Sequence, residues 1–413
     1  MDMTSPDVVA PMALEDIDLF DPTIYRTGAP HAALRTLRLK ASVWHQARPG
    51  QPAFWSLTKY QNVAAALKNT AAFSSTHGNN LDIAETGDSA GGHTLPLMDP
   101  PDHGLVRGPS IRTLSNLVMR DRTEPMRAKL RELLAPCLRG EDVDLAHLLL
   151  DLPMLAVGDI IGIPESVWPE IPSLTMAGIA PKDPIYSAGS DKRTLAKAHM
   201  RLFSIFAGLL ADRRQVPQED FVSVLSTLDF GGRKLTDQQV MMNCYSMVMG
   251  ANTSTPYVAA HFVLAMAQNP SVWERIRADP GLIDSAVTES LRWATPANHV
   301  MRKVTTDTEV EGHTLKAGSI VALWIASANR DETVFTSPYE FDPGRAPNPH
   351  LAFALGPHYC VGAPAVKTAL RLFIEELAYS VRSFELIGPV HHLSSNFING
   401  ITTLPVRFQL SGT

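Results

Sequence analysis

Cys360 ends the run Phe353-Ala354-Leu355-Gly356-Pro357-His358-Tyr359 and begins a helical pattern that extends to about residue 381. A thiol at a helix start meets orphan backbone N–H groups and the positive end of the helix dipole, and both favour the thiolate. Gly356 permits a tight turn before the cysteine, and Gly362 lets the helix approach a flat group closely. Pro364 falls in or just past the first turn, where its missing N–H costs least. Only two other cysteines, Cys137 and Cys244, occur in the chain. Three at such wide spacing make neither a disulfide framework nor a zinc cluster, so an important one acts alone. Cys137 and Cys244 read as buried, inert side chains.

The 413 residues include 36 basic and 42 acidic side chains, a formal charge of −6 that argues against a nucleic-acid or membrane-surface protein. The acidic start, with Asp2, Asp7, Glu15, Asp16 and Asp18, is unlike a secretory signal, and no apolar stretch is long enough to span a bilayer. The expectation is a cytoplasmic protein without a membrane anchor. No repeat or linker divides the chain, so residues 1–413 read as one domain with a flexible start over 1–17.

Apolar residues recur at helical spacing across 126–138, 145–161 and 192–214. A longer helix is expected from the N-cap Thr236 to about Gln268, interrupted near Gly250 and Pro256, and another over 281–293. Extended segments follow at 300–310 and 319–325, then a proline-rich meander over 331–357 and a short hairpin over 397–410. Residues 52–63 read as strand then helix, and the polar stretch 77–94 as a functional or mobile loop. The fold class is therefore mainly α with a small β region.

Three further groupings carry chemistry. Glu289 and Arg292 share one helix face, and Arg345 follows in Phe341-Asp342-Pro343-Gly344-Arg345. After Asp99-Pro100-Pro101-Asp102, His103 and Arg107 stand one helical turn apart, so both can face one anion. In the long helix, Met249-Gly250-Ala251-Asn252-Thr253-Ser254 sets an amide and hydroxyls beside a glycine. Pro256 withholds the N–H that would bond the Asn252 carbonyl, which should kink the helix there.

In this order and spacing, the four motifs resemble the cytochrome P450 family over nearly the whole chain, with Ala328-Asn329-Arg330-Asp331 also family-like. The resemblance implies a cytochrome P450 fold holding haem b, with Cys360 as the axial iron ligand and Gly362 against the macrocycle. His103, Arg107, Arg302 and His358 would serve the haem propionates. Glu289, Arg292 and Arg345 would lock the meander beneath the haem. Thr253 takes the family's alcohol position, but Asn252 stands where an acid is usual, and an amide cannot cycle a proton as a carboxyl group does. Ala354 stands where glycine is more usual.

By the same resemblance the chain is a bacterial-type monooxygenase acting on a small or medium-sized organic substrate with dioxygen. Electrons would come from NAD(P)H through a separate ferredoxin and ferredoxin reductase, the enzyme itself being a monomer. The ferredoxin would dock on the cysteine side, where Arg112, Lys367 and Arg371 offer positive charge. Substrate contacts fall to Asn80, Met249, Asn298, His299, Phe397, Ile398 and Asn399, whose polar members suit a specialised-metabolite intermediate bearing amide or hydroxyl groups. Asn252 keeps open an oxidative cyclisation or a C–C or C–N coupling without oxygen insertion. A peroxide-driven haem enzyme and a non-catalytic haem-binding subunit are the other readings, the latter opposed by Cys360.

Overall fold

The computed structural model describes residues 12–179, 181, 186, 188–229 and 232–412. At its centre lies the helix Thr255–Gln268, in which Tyr257, Val258, Phe262, Val263 and Met266 are at most 2% exposed. A helix apolar on all faces belongs in a core. Around it pack Leu152–Ile161, Ile283–Ala294 and Ala363–Ser380. The last of these buries Val366, Ala369, Leu370, Phe373, Ile374 and Leu377 at three- and four-residue spacing and also rests on Asn116–Leu134. Complete burial of Phe373 or Leu377 contributes roughly 2 kcal/mol each.

The helix expected over 236–268 is two helices. Asp237–Asn252 ends at Thr253 (φ −96°, ψ 4°) and Ser254 (φ −131°, ψ −57°), and Thr255–Gln268 restarts with Pro256 in its first turn. Proline has no N–H to give and suits a first turn, so the chain breaks where a kink was expected. Thr236 caps the first helix in a reciprocal box with Gln239. Residues 145–161 are likewise divided, into Leu145–Leu148, the 3-10 turn Leu149–Asp151 and Leu152–Ile161. The expected 192–214 helix is Asp191–Gln215, and the one at 281–293 is Ile283–Ala294.

A five-stranded sheet runs in the order Val43–Gln46, Phe54–Leu57, Ile320–Leu323, Val300–Val304, Phe73–Ser74. Phe54–Leu57 and Ile320–Leu323 are parallel, with Trp55 opposite Val321, and the other pairs are antiparallel. The expected 397–410 hairpin does not form. Ile401–Thr403 pairs with His391–His392, whereas Pro405–Leu410 pairs with Val381–Leu386 and Val143–Asp144. Between them Leu404 is buried and its N–H donates to Asp144 Oδ1 at 2.9 Å, which turns the chain into the other sheet.

Of the start expected to be flexible, residues 1–11 lie outside the described residues. Leu14–Asp16 forms a 3-10 turn and Ile17 is 1% exposed, in one apolar cluster with Leu34, Leu37 and Trp324. The polar stretch 77–94 is knitted down: Asn243 donates to His93 O at 3.1 Å and accepts from Leu95 N at 2.8 Å, while Met301 N donates to Asn79 O at 2.9 Å. Among the described residues no helix is long and apolar enough to cross a membrane.

Residues 332–355 contain neither helix nor strand. Side chains hold them. Glu289 and Arg292 are both 0% exposed and pair in a bidentate bridge of 2.7 and 2.8 Å. Arg292 also donates to the carbonyls of Asn329, Pro338 and Glu340, and Arg345 adds two bonds to Glu289 (3.1 and 3.2 Å) and others to Thr336 and Ser337. Two planar guanidiniums thus tie an irregular segment to one carboxylate, which a point charge could not do.

Candidate active site

The loop before the helix Ala363–Ser380 folds back on itself: Cys360 N donates to Phe353 O at 2.9 Å and Tyr359 N to Gly356 O at 3.0 Å. Gly356 has φ +70°, and a Cβ there would stand 3.1 Å from Lys68 Cα, so only glycine fits. At Gly362 a Cβ would meet only Cys360 Sγ, at 3.7 Å, which leaves the space beside the sulfur open to a flat group. Ala354 has φ +57°, the left-handed region, which explains why glycine is more usual there. Ala354→Gly is expected to stabilise the protein by about 1 kcal/mol, read as a higher urea midpoint, and no gain would count against strain at this position.

Burial pushes the Cys360 thiol up, against the pull of the Gly362 N–H, Arg107 and the Ala363 N–H. Metal coordination works the other way, since a coordinating thiol is deprotonated outright. Cys137 and Cys244 are buried, and burial pushes Cys137 up to about 12 and Cys244 higher still.

Four donors gather beside this loop from three elements: His103 and Arg107 from the helix Asp102–Thr113, Arg302 from Val300–Val304, and His358 from the turn Gly356–His358. The rings of His103 and His358 lie 4.3 Å apart, and Arg107 donates to the Tyr359 carbonyl. Arg302 is 4% exposed, donates to Met301 O at 2.7 Å, and is lowered by burial to about 10. Burial, with Arg107 beside it, lowers His103 to about 4, and burial with Arg302 lowers His358 to about 3, so both rings are neutral donors at neutral pH. His103 Nε2 is buried without a partner. Among the described residues neither Arg107 nor Arg302 has an ion pair, and Asp99 is engaged by Ser74 and Ser75. A buried guanidinium at Arg302 and a half-buried one at Arg107, neither in an ion pair, favour an anion between them, and two propionates suit this donor set.

On the other flank, a Cβ on Gly250 would meet nothing within 4 Å outside its own helix. Thr253 Oγ1 donates to Met249 O at 2.8 Å and Ser254 Oγ to Gly250 O at 2.7 Å, so both hydroxyls bond back to their own helix. Asn252 is 2% exposed; its Nδ2 donates to Val248 O at 2.9 Å, Met154 Sδ lies 3.9 Å away, and Oδ1 is buried without a partner. Met249 and Tyr245 share the helix face toward Gly178, whose Cβ position lies 3.3 Å from Met249 Cε and 3.5 Å from the Tyr245 hydroxyl. That hydroxyl lies 3.0 Å from His199 Nε2, a pairing between helices that has no motif in the sequence.

Three of the expected polar substrate contacts are committed elsewhere. Asn80 Oδ1 caps the turn Leu81–Ile83 by accepting from Asp82 N. Asn399 Nδ2 donates to Ala294 O at 2.6 Å. His299 is 0% exposed, accepts from Leu81 N at 3.3 Å on Nε2 and lies 3.1 Å from Asn396 O through Nδ1, so it is a satisfied core histidine. Asn298 is fully buried, and neither amide atom has a partner. Ile398 sits in an apolar cluster with Met176 and Tyr257, with Phe397 packed against it.

Burial holds His299, and also His261, down at about 3 in the folded protein. An unfolded histidine titrates near 6.5, so below that pH the unfolded chain takes up protons that the folded one refuses, and stability falls by about 1.4 kcal/mol per pH unit for each such ring. Thermal midpoints should fall steadily from pH 6.5 to 4.5, with other lowered histidines such as His103 and His358 adding to the slope, and His299→Gln should reduce it by one ring's share, about 1.4 kcal/mol per pH unit; an unchanged slope would exclude His299.

A helical protein with a lone cysteine at a helix start, an open flat space beside it and an anion-seeking cluster at its rim is of the haem-thiolate class. Residues 281–411 match the family model Cytochrome P450. The chain is 32% identical over 412 residues to Cytochrome P450 NovI of Streptomyces niveus, covering 98% of this chain and 99% of the relative. Linalool 8-monooxygenase of Pseudomonas putida is 28% identical, covering 95% of this chain and 99% of that one. The crystal structure of P450 OxyD, involved in the biosynthesis of vancomycin-type antibiotics, matches with a TM-score of 0.85 at 29% identity, covering 96% of this chain and all of that one. The chain belongs to the cytochrome P450 family, and it is an oxidoreductase of the monooxygenase type.

Proposed function

We propose that this cytochrome P450 oxidises a small or medium-sized specialised-metabolite intermediate, as a cytoplasmic monomer of one domain supplied by a ferredoxin and its NAD(P)H-dependent reductase. The observation that carries the site assignment is the convergence of His103, Arg107, Arg302 and His358 on the Cys360 loop. The metabolite class rests on likeness to a P450 of antibiotic biosynthesis. When bound, the haem supplies dioxygen activation, which a thiolate ligand favours.

Cys360 would hold the iron, Gly362 would leave room for the macrocycle, and the four donors would neutralise its propionates. Glu289, Arg292 and Arg345 keep the meander in place under that load. Gly250 opens the space for substrate and oxygen, while Met249, Phe397 and Ile398 exclude water. Thr253 must trade its bond to Met249 O to hold a proton at its hydroxyl, with Ser254 Oγ one residue on. Asn252 has no carboxyl proton to cycle, and its Nδ2 is bonded to Val248 O with Met154 Sδ beside it. Asn298, with both amide atoms unpartnered, is an unmatched polar side chain near the substrate segment. For ferredoxin docking Arg112 and Lys367 remain, because Arg371 is tied to Glu375 at 2.8 Å and faces Asp284 at 3.5 Å.

A second reading, oxidative coupling without oxygen insertion, is favoured by the amide at Asn252. Product mass separates them: hydroxylation adds one oxygen, coupling within one molecule removes two hydrogens. Asn252→Asp should raise product formed per NAD(P)H several-fold if proton supply limits oxygen insertion, and an unchanged ratio would remove this position from proton delivery.

A further inference from the structure

We propose that a second cavity, against Asn399, binds a small organic anion with an apolar body, an aromatic carboxylate, and that its occupancy is coupled to binding at the iron. The cavity measures about 400 Å³ and shares no residue with the Cys360 loop or the cation cluster. That volume lies within the range of small-molecule sites, roughly 300–1,000 Å³. Leu264, Trp293 and Val390 give it apolar walls, and Arg26, His261, Gln268, His392 and Asn399 are among its polar groups; among the described residues no carboxylate lines it.

Arg26 is exposed at one side and has no ion pair among the described residues. The rings of His261 and His392 stand 5.8 Å apart, and His392 Nδ1 is buried without a partner. Behind Trp293 lies the guanidinium of Arg330, 4.7 Å from the indole ring and fully buried, which donates to the carbonyls of Arg292 and Trp293 and to no carboxylate. An anion here meets the Arg26 cation, the unpartnered ring nitrogen of His392 and the guanidinium of Arg330 behind the indole, while the His261 ring is held by the Asn399 carbonyl.

Coupling follows from Asn399, and this part rests on the proposed substrate role of its neighbours. Its carbonyl lies 3.3 Å from His261 Nε2, its N–H donates to Pro296 O at 2.9 Å, and its amide holds Ala294 O. Phe397 and Ile398 precede it directly. A ligand that fixes His261 and Asn399 therefore fixes the segment assigned to substrate contact.

The test titrates the haem-loaded enzyme with 4-fluorobenzoate, followed by fluorine NMR, beside neutral 4-fluorobenzamide. The carboxylate should bind at least about tenfold more tightly than the amide, and Arg26→Gln should weaken it by about tenfold, the worth of one charged hydrogen bond. Leu264→Trp, which fills the cavity, should abolish binding while haem content and circular dichroism stay normal. Equal affinity for both probes, or indifference to both substitutions, overturns the site. Imidazole binding at the iron, read from the Soret shift, should change with the carboxylate present, and by reciprocity the carboxylate's affinity should change by the same factor with imidazole present. Mutual exclusion would place the carboxylate over the iron and overturn the proposal; independent binding overturns the coupling. The NMR titration needs no turnover, so a wrong substrate assignment leaves the anion site standing.

Discussion

Cys360→Ser is expected to abolish the thiolate-type Soret band of the reduced carbon-monoxide complex and to leave no measurable turnover with ferredoxin and reductase. The loop should survive the change, because its hydrogen bond from residue 360 to Phe353 O is made by the backbone. The effect should therefore be specific: Cys137→Ser and Cys244→Ser keep the band, since burial holds both thiols protonated and away from metal chemistry. Each serine in those cores adds only a hydroxyl to be satisfied, a stability cost of about 1–3 kcal/mol. A thiolate-type band that persists in the Cys360 variant would place the iron ligand elsewhere.

The second large effect lies away from the sulfur. Glu289→Gln removes the one carboxylate that accepts from Arg292, Arg345, Asn348 Nδ2 and the Asp342 N–H. Two guanidiniums, with Arg292 at 0% and Arg345 at 8% side-chain exposure, would be left without their counter-charge. Breaking a buried pair in this way costs about 3–5 kcal/mol. The denaturation midpoint should fall accordingly and haem should be lost in proportion during gel filtration. Arg345→Lys should cost less, since it keeps the charge and loses mainly the fork that reaches the carbonyls of Thr336 and Ser337. A Glu289→Gln protein within about 1 kcal/mol of the parent would show the lock to be dispensable.

The parts legible in the sequence are those in which chemistry repeats at short spacing. Glu289 and Arg292 lie on one helix face, His103 and Arg107 on another, and the glycines around Cys360 mark a backbone that other residues cannot adopt. Interactions that cross the chain left no such trace. Asn243 latches the 93–95 stretch from 148 residues away, and His299 serves Leu81 from 218 residues away, so a histidine that looks available to substrate is already satisfied. Alternation along the strand could not separate a polar side chain facing a ligand from one facing a backbone carbonyl. The break at Thr253 and Ser254 was foreshadowed by Pro256, but its depth depended on the second helix finding a separate seat in the core. The missing hairpin has the same origin: Asp144, far back in the chain, decides where Leu404 goes.

The parallel pairing of Phe54–Leu57 with Ile320–Leu323 also fixes when the protein can become whole. Arg38 reaches Glu332 and Ser327, and Tyr60 N donates to Asp331, each across more than 260 residues. During synthesis the first strands and helices must wait for the last quarter of the chain, because their partners do not yet exist. Such high contact order slows folding and leaves an open strand edge exposed to other chains in the interval. Yield in a foreign host should thus respond to translation speed and to chaperone supply more than to any change in the finished protein's stability.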